Sequence, residues 1–144
     1  MINFDSRWLV LTVFIFFGCA TFKTQYEEAD FQLSPSKKAI EHSFYLIGDA
    51  GNSPIGTKSP ALKAFEEALN KASKNSTALF LGDNIYPSGL PEKDHKSYGF
   101  AKHQLDVQID AVKNFKGTTL FIPGNHDWYS DGLVGLERQE DYID

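Results

Sequence analysis

From Ser43 onward the chain alternates short apolar runs with longer segments whose apolar residues recur at helical spacing. Phe44-Tyr45-Leu46-Ile47, Ala78-Leu79-Phe80-Leu81 and Thr119-Leu120-Phe121-Ile122 are compact apolar runs of strand length. The first two stop at Gly48 and Gly82, the third at Pro123-Gly124. Between the first two, Ser59-Pro60 reads as a helix start, with serine as N-cap and proline at the first helical position. Ala61, Leu62, Phe65, Ala68 and Leu69 then keep helical spacing, and the pattern predicts a helix to about Lys74. A polar loop containing Pro87, Gly89 and Pro91 follows the second strand. A second helix is predicted from about Phe100 to Phe115, with Leu105, Ile109 and Val112 on one face. This order predicts an α/β fold, a parallel βαβαβ unit with helices covering the sheet; as half of a sandwich, such a unit would leave one sheet edge unpaired and one face uncovered.

In an open parallel sheet, ligands bind at the carboxyl ends of the strands. Each of the three strand ends here carries polar groups of one kind: Gly48-Asp49-Ala50-Gly51, Gly82-Asp83-Asn84-Ile85-Tyr86 and Gly124-Asn125-His126-Asp127. A single Gly-Asp is ordinary turn chemistry, with the aspartate capping the next helix. Three such pairs at three successive strand ends point to a shared site. Asp49 and Asp83 are hard oxygen donors, Asn125 adds a carbonyl oxygen and His126 an imidazole. Two metal ions about 3.5–4 Å apart can clamp a phosphate and activate a water for in-line attack, and a carboxylate suits the bridging position. The glycine before each group lets the backbone turn sharply and come close.

Together, Gly-Asp, Gly-Asp-Asn and Gly-Asn-His-Asp resemble the first three signature blocks of the calcineurin-like metallophosphoesterases. The resemblance runs from about Phe44 to Tyr129. Most of that superfamily has Asp-x-His in the first block, whereas here Asp49 is followed by Ala50-Gly51. Tyr86, three residues after Asp83, gives the Gly-Asp-x-x-Tyr spacing of purple acid phosphatases, and the run is similar to the small, tartrate-resistant type. The resemblance implies an N-terminal half of an α/β/β/α sandwich and a two-metal phosphoesterase. It implies that Asp49 and Tyr86 bind a ferric ion, that Asp83 bridges, and that Asn125 binds a divalent ion (iron, zinc or manganese). It also implies that His126 binds the phosphate of an ester substrate and acts as general acid, a task suited to imidazole near neutral pH. Asp127 is placed to orient that ring or raise its pKa. For Tyr86 the alternative is ordinary packing against Pro87. Trp128 and Tyr129 either wall the leaving-group side or belong to the core.

Such a family also needs three further histidines, one after a strand and two in a Gly-His-x-His block. No histidine follows His126, and His42, His95 and His103 are too far apart to form that block. The expectation is therefore a truncated, N-terminal part of a larger domain over residues 43–144, with little activity of its own. The alternative is an inactive relative, or a short surface lipoprotein acting as a binding module. Gly51 to Ser59 approaches a phosphate-binding loop but fails, because Thr57 separates Gly56 from Lys58. Lys58 is left as a candidate neighbour of the substrate.

Ahead of this unit, Trp8 to Gly18 is apolar, follows Arg7 and precedes Cys19. It is shorter than the roughly 20 residues a bilayer span needs and has the length of a signal-peptide core. Gly18-Cys19 resembles the lipobox of bacterial lipoproteins. The expectation is a signal peptide over residues 1–18, lipidation at Cys19 and a polar tether over residues 19–42. Export to a bacterial envelope and a membrane partner follow from it. A plain signal peptide or an uncleaved anchor is the alternative. The lone cysteine allows no intrachain disulfide, and a formal charge of −5 argues against a general nucleic-acid binder.

Overall fold

The structure, a computed structural model, describes residues 39–144. The expectations for the apolar run at 8–18, for Cys19 and for most of the tether therefore fall outside the described residues.

Three strands form one parallel sheet in the order β1-β2-β3: β1 Ser43–Ile47, β2 Ser76–Phe80 and β3 Thr118–Phe121. Ile47 pairs with Phe80, and Phe80 with Phe121, so the strands end in register and release their following loops along one edge. Helix α1 (Pro60–Leu69) connects β1 to β2, and α2 (Tyr98–Val112) connects β2 to β3. Two short elements follow, α3 (Asn125–Trp128) and α4 (Leu133–Ile143).

The start of α1 is the one expected. Ser59 Oγ accepts the Leu62 N–H at 3.2 Å, and Pro60 takes the first helical position. The helix ends five residues before Lys74, however, because residues 70–75 carry no large apolar group to hold another turn against the sheet. Lys71 and Ala72 close it with tightened bonds to the Ala68 and Leu69 carbonyls. Serine and asparagine there have side chains that compete for the backbone; Ser76 Oγ, for one, donates to the Ser73 carbonyl.

Alternation along the strands sorts the sheet into two unlike faces. Tyr45, Ile47, Ala78, Phe80 and Phe121 meet Leu62, Phe65 and Leu69 of α1 and Val107 and Ala111 of α2 in one core layer. Phe80 lies at its centre, stacked on Phe121 at 4.2 Å and edge-on to Phe65 at 5.5 Å. The opposite face shows Phe44, Leu46 and Leu120 at 67%, 57% and 51% exposure. Among the described residues the two connecting helices cover one face, as a parallel βαβαβ half-unit allows. Strands added in sequential order by crossovers of one hand place both helices on the same side, which leaves this second face apolar and bare. A smaller core joins the loop after β2 to α2 and α4 through Ile85, Leu90, Ala101 and Leu105, with Tyr142 and Ile143 against them.

Candidate metal centre at the strand ends

The parallel pairing continues past each strand into the loops. Leu81 N–H donates to the Ile47 carbonyl at 2.8 Å, Asp49 N–H to Gly82 at 3.2 Å, and Gly51 N–H to Asp83 at 3.1 Å. On the other side, Ile122 N–H donates to the Phe80 carbonyl at 2.9 Å. Asp49 and Asp83 both sit in the left-handed backbone region, at φ of 52° and 53°. That conformation costs a residue with a Cβ on the order of 1 kcal/mol and persists where the surroundings impose it, often at functional sites. Two glycines make room for it. A Cβ on Gly124 would collide with Asp83 Oδ1 and the Asp83 nitrogen, and one on Gly51 would collide with the backbone of Asn84 and Ile85.

These turns bring three oxygen groups together. Tyr86 Oη lies 2.5 Å from Asp49 Oδ1 and 2.9 Å from Asp83 Oδ2. The phenol proton serves the closer carboxylate and is shared with the other. Hydrogen bonding to Asp49, burial and the bond to Asp83, in that order, push the phenol well above its ordinary pKa. Neither aspartate forms an ion pair among the described residues. Asp83 Oδ1 also accepts the His126 N–H at 3.1 Å, which ties the second strand end to the third.

At the third strand end, Asn125 Nδ2 donates to Tyr129 Oη at 2.7 Å, which turns its carbonyl oxygen away from that contact. The His126 ring packs 4.4 Å from Tyr86 and 5.1 Å from Tyr129, between centroids. Its Nδ1 lies 2.7 Å from the Pro87 carbonyl. Since a carbonyl can only accept, Nδ1 carries a proton and Nε2 is the atom left for chemistry.

Asp49, Asp83, Tyr86, Asn125 and His126 thus come to one edge, as the sequence suggests. Asp127 does not share their direction. Its carboxylate is completely buried. Oδ2 accepts the N–H groups of Asn84 (3.0 Å) and Gly124 (2.7 Å) and Asn84 Nδ2 (3.2 Å), while Oδ1 accepts the Ile85 N–H (3.0 Å). The expected role on the His126 ring is corrected accordingly: adjacent side chains diverge, and Asp127 fastens the Asp83 loop to the third strand end. Lys58 is also spent elsewhere, at 2.6 Å from both Glu66 and Asp110. Burial pulls its pKa down, but the two carboxylates outweigh that and hold it above the ordinary value. Trp128 and Tyr129 are 52% and 60% exposed, so they are surface beside the site and not core.

A donor set of two uncompensated carboxylates, a phenol and an amide carbonyl fits a hard cation. Among the described residues no three of His, Cys, Asp and Glu are gathered for a metal. Asp49 and Asp83 are two such carboxylates, the Tyr86 oxygen joins them directly, and Asn125 lies at the neighbouring strand end.

The family model for the calcineurin-like phosphoesterases matches residues 42–143, most of the chain and all of the described fold from β1 to α4. The chain belongs to the calcineurin-like phosphoesterases. No curated protein and no solved structure matches it. Membership of this family carries metal-dependent phosphoester hydrolysis as its activity and a phosphate ester as its substrate. Among the described residues, no helix is long and apolar enough to cross a membrane.

Two buried polar residues beside the site escaped the sequence pattern. Gln104 and Gln108, one turn apart on α2, are completely buried and hydrogen-bonded to the backbone of the Asp83 loop. The available signal was a polar pair at i and i+4 on a face otherwise made of Ala101, Leu105 and Ala111.

Proposed function

We propose that this calcineurin-like phosphoesterase is of the purple acid phosphatase type, hydrolysing phosphate esters at a two-metal centre. The observation that carries this reading is the Tyr86 phenol held against both Asp49 and Asp83, with no ion-pair partner for either carboxylate among the described residues. Asp49 and Tyr86 would hold a ferric ion, Asp83 would lie between the two ions, and Asn125 would offer its carbonyl to a divalent iron, zinc or manganese. When bound, such ions supply Lewis-acid stabilisation of phosphate charge and lower the pKa of a water.

The chain's own residues bind and orient. The Pro87 carbonyl fixes the His126 tautomer, which leaves Nε2 for the phosphate or the leaving oxygen. In its protonated form it donates that proton as the alkoxide departs. Trp128 and Tyr129 offer an exposed aromatic margin beside it. Four ligands are too few for two ions, and the sequence holds no histidine after His126. We infer that Cys19 tethers the enzyme to a bacterial envelope through lipid.

The test is spectroscopic and enzymatic. Ferric ion added to the protein should give a visible phenolate band that vanishes in Tyr86→Phe. In metal-loaded protein, Asp83→Asn should abolish most hydrolysis of an aryl phosphate. A band that survives Tyr86→Phe removes the ferric assignment, and turnover that survives Asp83→Asn removes the bridging one.

A further inference from the structure

We propose that Gln104, supported by Gln108, is the positioning residue that sets the Tyr86 phenol as a metal ligand. The proposal deepens the metal-centre reading and rests on it.

The run Asp83 to Tyr86 is not held by regular secondary structure. Buried backbone polar groups must nevertheless find partners, and here side chains supply most of them. Gln104 Oε1 accepts the Tyr86 N–H at 2.7 Å, and Gln104 Nε2 donates to the Tyr86 carbonyl at 2.8 Å. One primary amide thus engages both backbone groups of the ligand residue, as a neighbouring strand would. The pairing also fixes the amide's own orientation, since oxygen must face the N–H and nitrogen the carbonyl. One turn further, Gln108 Nε2 donates to the Asn84 carbonyl at 2.7 Å and to the Gln104 carbonyl at 2.9 Å. Asp127 holds Asn84 and Ile85 through their N–H groups.

The chemistry of these positions is poor if packing is their only purpose. Gln104 and Gln108 are both at 0% exposure on a helix face that also buries Ala101, Leu105 and Ala111. Glutamine is seldom fully buried, and Gln108 Oε1 has no hydrogen-bond partner among the described residues, which costs stability. What the pair achieves is the placement of Tyr86. Tyr86 N–H also donates to the Gly51 carbonyl at 3.2 Å, and the two opposed, shorter bonds to Gln104 resist both rotation and retreat of the loop. Outer groups that fix a ligand in this way typically contribute about 10–100-fold in metal affinity.

The experiment measures Mn2+ affinity by competition with a chelating dye, using the whole chain. Gln104→Met keeps the volume and removes both bonds, and should weaken Mn2+ binding about 10–100-fold. Gln139→Met is the control: a buried glutamine of α4 that makes no hydrogen bond to the Asp83 loop among the described residues, whose loss should leave affinity within about twofold. Equal affinity in Gln104→Met and wild type overturns the proposal, as does equal weakening in both variants, which would mark a general loss of stability. Tyr86→Phe separates the two levels. If it weakens binding while Gln104→Met does not, the metal centre stands and the clamp falls. If neither weakens binding, or the wild type binds no Mn2+, the metal-centre reading falls and takes the clamp with it. Should Gln104→Met fail to fold, hydrogen exchange in the wild type decides: the Tyr86 amide should exchange as slowly as those of β2, and exchange at open-loop rates overturns the proposal.

Discussion

Changing Asp127 to asparagine alters one atom of a buried carboxylate that makes no ion pair among the described residues. The cost can be worked from its four hydrogen bonds. If the new amide keeps its oxygen at the Oδ2 position, the bonds from Asn84 N, Asn84 Nδ2 and Gly124 N persist as neutral ones. A hydrogen bond to a charged group contributes about 1.5–3 kcal/mol and a neutral one about 0.5–1.5, so these three together lose about 3–4.5 kcal/mol. The amide nitrogen then faces the Ile85 N–H, donor against donor, and leaving that group unpaired costs about another 1–3 kcal/mol. Relief of an uncompensated buried charge returns part of this, and a net loss of about 3 kcal/mol is expected. A domain of this size has only about 5–15 kcal/mol in total. With a urea slope of about 1.5–2 kcal/mol/M, the midpoint followed by far-ultraviolet circular dichroism should fall by about 1.5–2 M. If Asp127 instead served the His126 ring, the variant would unfold near the wild-type midpoint. A shift under about 0.3 M would refute the fastening role.

Other substitutions read other parts of the account. Gly51→Ala should cost about 2–4 kcal/mol in urea unfolding, because its Cβ would overlap the Asn84 and Ile85 backbone. It should also weaken metal binding by displacing Asp83. Ser59→Ala removes the cap on Leu62 N–H and should cost about 1 kcal/mol, with no effect on metal. Tyr129→Phe frees the Asn125 amide and should weaken metal binding about tenfold, at the low end for an outer-sphere contact. Tyr142 donates to Asp106, and burial followed by that bond raises its pKa. A phenol whose folded pKa is raised contributes stability that is full below its unfolded value of about 10 and is lost as pH rises above it. Urea midpoints should therefore drop more steeply above pH ~10 in the wild type than in Tyr142→Phe.

Much of the fold and most of the site were legible because they rest on local rules. Strand runs ended at glycine or proline, Ser59-Pro60 marked a helix start, and three loops leaving one sheet edge had to place Asp49, Asp83 and Asn125 together. What escaped depends on which way a side chain turns once the chain is packed. Asp127 follows His126 directly, and spacing alone could not show that one faces the site while the other turns under the Asn84 backbone. The loop from Gly51 to Ser59 suggested Lys58 near the substrate, but Asp110, fifty-two residues later, comes from a different helix to hold it away. Gln104 and Gln108 look like surface residues in a helix rich in charge until a loop is laid over them.

The central claim is that the three strand ends make one metal site, and direct titration of the whole chain with Mn2+ tests it with fewest assumptions. Wild-type protein should bind the ion measurably, and Asp83→Asn, which leaves the fold in place, should weaken binding by at least about tenfold, as the loss of a bridging carboxylate demands. Identical titration curves for the two proteins would contradict the account.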